Sequence, residues 1–105
     1  MTDIKNPHTP HDPKPNDFYD RVDAYIQVAN QQCSQADKGK VSASFLFAAA
    51  RFNSWVSASG FENSELMQAN RQELVQYFVQ QYQSMLEDNL DEFIENFVSY
   101  QKAKS

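Results

Sequence analysis

The run SFLFAAARFNSW, Ser44 to Trp55, sets an arginine and an amide inside the most apolar stretch of a polar chain. The Arg51 guanidinium offers a planar fork of donors matched to a carboxylate or phosphate. Asn53 adds a donor and an acceptor, and Trp55 adds a flat apolar wall. Those three side chains have the chemistry of a small-anion site. They also have the chemistry of a helix seam, in which Arg51 lays its stem on apolar surface and meets a carboxylate such as Asp20, Asp23, Glu87 or Asp91. The seam is the favoured reading, because a charge set among apolar residues is ordinarily paired.

A second basic group lies in DKGKVS, where Lys38 and Lys40 flank a glycine ahead of a helix start expected at Ser42. The free N–H groups of a helix N-terminus attract phosphates and carboxylates. The segment is not a P-loop, since Ser34 stands where the first glycine belongs and a helix precedes it instead of a strand. A turn with solvated lysines is favoured over an anion site.

His8 and His11 with Asp12 could hold a transition metal only weakly, because no other histidine completes a preorganised set of three or four ligands. With no histidine after position 11, neither a Ser-His-Asp set nor a Glu-x-x-His di-metal bundle can be assembled on the rest of the chain. Cys33, the only cysteine, cannot form an intrachain disulfide and falls on an apolar stripe, which predicts a buried, inert thiol. General acid–base work by a carboxylate pair is the catalytic chemistry these residue types leave open. The acids Glu87, Asp88, Asp91, Glu92 and Glu95 read as a solvated face, with a docking patch for a basic partner as the alternative. The chain is accordingly read as non-enzymatic and without a cofactor.

The elements that must position these groups are helices. Phe18, Val22, Tyr25, Ile26, Ala29, Cys33 and Ala36 recur at three- and four-residue steps, predicting an amphipathic helix over about 17–37 that Gly39 stops. A second helix is expected over about 42–59, with a Val41–Leu46 staple at its start. At its end, Gly60 would take a left-handed conformation and let Phe61 fold back on Val56. A third helix begins at Ser64 or at an Asn70–Glu73 capping box and runs to about 88. Asn89 and Glu92 suggest a break there and a short fourth helix over about 89–100.

No stretch alternates with period two for long enough to form a strand. The fold is therefore expected to be all-α: a bundle of three main helices and a short fourth, forming one domain over 16–101. Residues 1–15 hold all four prolines and almost no apolar side chain, and are expected to form a flexible tail.

The second helix stands apart. Val41, Phe45, Ala48, Ala49, Phe52, Trp55 and Val56 make a broad apolar face. The opposite face, with Ala43, Phe47, Ala50, Ser54 and Ala58, is small instead of charged. A helix lacking a polar side is ordinarily covered on most sides, so its small face is expected to meet the fourth helix or a second subunit.

A formal charge of −5 argues against binding to nucleic-acid backbones or anionic membrane surfaces. MTDIKNPHTP has no signal-peptide pattern, and no apolar run nears the roughly 20 residues of a membrane span. A cytoplasmic protein is expected.

The run GKVSASFLFAAARFNSW, together with FYDRVDAYIQVANQQ before it and MLEDNLDEFIENF after it, resembles an uncharacterised bacterial family, a domain of unknown function, over about residues 18–97. The resemblance implies a bacterial, cytoplasmic protein with one compact helical domain, and carries no catalytic residue. The expected role is a protein-interaction or self-association module, a homo-oligomer or the partner of another protein. The alternative is a small-anion binder using Arg51, Asn53 and Trp55 or the Lys38–Ser42 segment. Phe47, Arg51, Asn53, Trp55, Lys38 and Lys40 are the candidate site residues.

Overall fold

The computed structural model describes residues 17–104. The proline-rich segment, with His8 and His11, lies outside the described residues. Five helices follow one another: α1 (Asp17–Gln32), α2 (Lys38–Ala58), α3 (Ser64–Ala69), α4 (Arg71–Glu95) and α5 (Phe97–Lys104). There is no strand among the described residues, and the fold is all-α. The chain divides into two units, Met1–Phe52 and Asn53–Ser105.

In the first unit, α1 opens on Asp17 and Asp20, whose charges suit the positive end of the helix. The Arg21 guanidinium donates to the Asp17 carboxylate one turn back at 3.2 Å. The helix ends at Gln32, short of the expected 37. The Cys33 N–H is shared between the carbonyls of Ala29 and Asn30, and the Ser34 hydroxyl donates to the Gln31 carbonyl at 2.8 Å. These bonds tighten the last turn and satisfy carbonyls left open at a helix end.

Asp37 decides the next start. Its carboxylate accepts the Lys40 N–H at 3.1 Å and its carbonyl accepts the Val41 N–H at 3.1 Å, as an N-cap does. So α2 begins at Lys38, four residues before the expected Ser42. Gly39 is not a stop but part of the first turn, with no left-handed φ.

The second unit holds the end of α2 and the three helices that follow. Gly60 lacks a left-handed φ as well. The helix closes instead by tightening: Gly60 N–H donates to Ser57 O, Phe61 N–H to Ala58 O, and the Ser59 hydroxyl to Val56 O at 2.6 Å. Asn63 then caps α3, its side-chain oxygen accepting the Leu66 N–H at 2.9 Å. Both expected starts of the third helix are used, one by α3 at Ser64 and one by α4 at Arg71. The side chain of Asn70, however, makes no cap for α4; it donates to the Leu66 carbonyl at 2.9 Å and closes α3 instead.

Asn89 does not break the chain. Its side chain donates to the Met85 carbonyl at 2.7 Å, and α4 runs on to Glu95. The interruption comes at Asn96, which makes the same bond to Glu92 at 3.0 Å before α5. The short terminal helix therefore spans 97–104, not about 89–100. Within this unit α4 contacts α3 and α5, its neighbours in sequence.

Candidate interaction surface

The first unit contains a cleft of about 300 Å³ between its two helices. Tyr25, Val28 and Ala29 of α1 face Val41, Phe45 and Ala48 of α2 across it, with Gln32 and Ser44 as further polar members. Each set lies near the connection between the helices, so a five-residue turn brings the last turns of α1 opposite the first half of α2. Val41 is 7% exposed and is the one buried side chain among the described residues; it lies inside α2 and not before its cap, and Leu46 is 54% exposed, so the expected Val41–Leu46 staple does not form. No carboxylate, amine, guanidinium, imidazole or thiol lines the cleft. It can take an apolar group, and the Tyr25 phenol, the Gln32 amide and the Ser44 hydroxyl are its polar side chains.

The candidate residues of α2 lie outside this cleft. Phe47 and Trp55 are each 66% exposed, and Asn53 is half-buried. Arg51 is exposed and forms no ion pair with Asp20 or Asp23 of its own unit. The seam reading required a desolvated, paired guanidinium; with water around it, Arg51 needs no partner.

Lys38 and Lys40 are exposed on the first turn of α2 rather than in a loop. One of the amides that could meet an anion there, the Lys40 N–H, is already taken by the Asp37 carboxylate. Cys33 is exposed in the connection after α1, correcting the expectation of a buried thiol. The early end of α1 removes it from the helical stripe.

Sequence reasoning understated the extent of uncovered apolar surface. On α4, Val75, Val79, Tyr82, Leu86, Leu90 and Phe93 recur at steps of three and four and therefore share one side of the helix. Their exposures run from 40% at Leu86 to 56% at Val79. The periodicity of these residues was the available signal. It marks a face that wants burial, without saying whether the chain itself supplies the cover.

Among the described residues, no three His, Cys, Asp or Glu side chains converge in a group able to hold a metal ion. No helix among them is long and apolar enough to cross a membrane.

Comparison with known proteins agrees with the helical architecture. The model of a family described as protein of unknown function, DUF3144, matches residues 18–94. The NMR structure of the protein NB7890A from Shewanella sp. is similar to this chain at 40% sequence identity and a TM-score of 0.71. The similarity covers 88% of this chain and 98% of that one. Among curated proteins nothing matches. The chain belongs to the DUF3144 family.

Proposed function

We propose that this member of the family is a non-enzymatic interaction module whose helices present apolar faces for burial against protein. One observation carries the reading: large apolar side chains along α2 and α4 stand about half exposed or more, while Val41 alone is buried among the described residues. Contiguous apolar surface of this kind is costly in water and is characteristic of protein-binding faces. The residues flanking it support binding more than chemistry, since the cleft has no ionisable lining apart from the Tyr25 phenol.

Hydroxyl-radical footprinting tests the proposal. Phe47, Trp55, Tyr77 and Tyr82 are expected to be oxidised at several-fold lower rates in the protein's native assembly than in a dilute, dissociated sample. Equal, high reactivity under both conditions would count against an interaction role.

A further inference from the structure

We infer that the partner is a second copy of this chain, with the small, basic face of α2 from one copy seated on the apolar stripe of α4 from the other. The inference rests on the interaction reading above and names its partner.

The two surfaces are complementary in shape. At 100° per residue, Ala43, Phe47, Ala50 and Ser54 share one side of α2, and Lys40 and Arg51 border it. Small side chains let another helix approach closely, and Phe47 projects from among them as a knob. On α4, the six stripe residues fall within a narrow arc spanning about five turns, a seam suited to receiving such a helix. The lengths also agree, at 21 residues for α2 and 25 for α4.

Charge selects between the possible pairings. Over its full length α2 carries Lys38, Lys40 and Arg51 and no acid, a net +3. α4 carries six acids, Glu73, Glu87, Asp88, Asp91, Glu92 and Glu95, against Arg71 alone, a net −5. Pairing α4 with α4, or α2 with α2, sets like charges together; α2 against α4 sets opposite charges together. An acidic apolar helix calls for a cationic, small-faced one, and every copy of this chain brings such a helix at equal concentration.

Each copy gives one α2 face and one α4 stripe, so the contact joins unlike surfaces and a copy can enter it through either. At roughly half exposure, the six α4 side chains leave on the order of 500 Å² uncovered. With an α2 face of similar area set on it, the contact would bury roughly 1,000 Å² over the two partners, the size at which a specific interface begins.

Light scattering on the purified chain at micromolar concentration is expected to give at least twice the 12.1 kDa chain mass. In a mixture of isotope-labelled and unlabelled protein, filtered NOEs are expected from the Phe47 ring of one copy to the Val79 and Leu86 methyls of the other. Phe47→Asp and Leu86→Asp are each expected to weaken dimerisation at least a hundredfold. Arg51→Glu, on an exposed side chain, is expected to weaken it about tenfold, less so in high salt. A monomer mass for the wild type overturns the proposal, as does a dimer without NOEs between Phe47 and α4. If the purified chain is monomeric but its aromatic residues are protected in a complex with another protein, self-pairing falls while the interaction reading stands.

Discussion

The hairpin of α1 and α2 and the long helix α4 use the same sequence device, an apolar stripe at helical spacing; both leave most of it exposed, and they differ in what the stripe faces. In the hairpin, a five-residue connection returns the chain at once, and two stripes face each other around Val41. In the second unit α4 contacts α3 and α5, and its stripe stays about half exposed along its length. The difference lies in the connections: α3 and α5 are separated from α4 by single residues, Asn70 and Asn96. An amphipathic stripe thus specifies that a face should be buried, whereas the connections help decide what can reach it.

The contrast can be broken most forcefully inside α4. Leu90→Pro is expected to cost about 3 kcal/mol beyond Leu90→Ala in denaturant unfolding, because it removes an interior hydrogen bond and clashes with the preceding turn. Were Asn89 a helix cap, position 90 would be the first helical residue and would accept proline with little cost. The hairpin has its own weak point at Val41, where truncation to Ala should cost about 1–2 kcal/mol through lost burial. A smaller effect, about 1 kcal/mol, is expected for Asp37→Ala, which strips the cap from α2. Helicity by circular dichroism should fall with it. The smallest change has the opposite sign: Gly39→Ala is expected to stabilise by about 0.5 kcal/mol, read as a slightly higher Tm. A Cβ there meets only the Asp37 carboxylate, at 3.9 Å. Had Gly39 been a left-handed stop, the same substitution would destabilise.

These positions also show how far the sequence could be read. The helical class, the stripes and the existence of a helix at each expected place follow from periodicity, which reports many residues at once. The boundaries turn on single side chains with two possible uses. Asn63, Asn70, Asn89 and Asn96 have the same amide, yet Asn63 accepts from a backbone N–H ahead of it while the other three donate to a carbonyl one turn behind. Either use satisfies an amide, so composition cannot choose between a helix start and a helix interior. Gly39 and Gly60 misled for a related reason: glycine permits a left-handed turn without requiring it. Among the candidate site residues, placement on α2 was legible for Phe47, Arg51, Asn53 and Trp55. The exposure of Arg51 was not, because a guanidinium beside apolar residues is equally at home in a paired seam and at a solvated surface.

The exposure of Cys33 has a practical consequence. A chain with a single, accessible thiol comes ready for attachment of one spin label or fluorophore, without removing or adding a residue. That thiol sits in the connection of the α1–α2 hairpin, away from Phe47 and from the α4 stripe in sequence. With one probe per molecule, a dipolar signal between probes arises only when two molecules meet. The natural cysteine therefore serves as a ruler for association, and it leaves both proposed contact faces in their native chemistry.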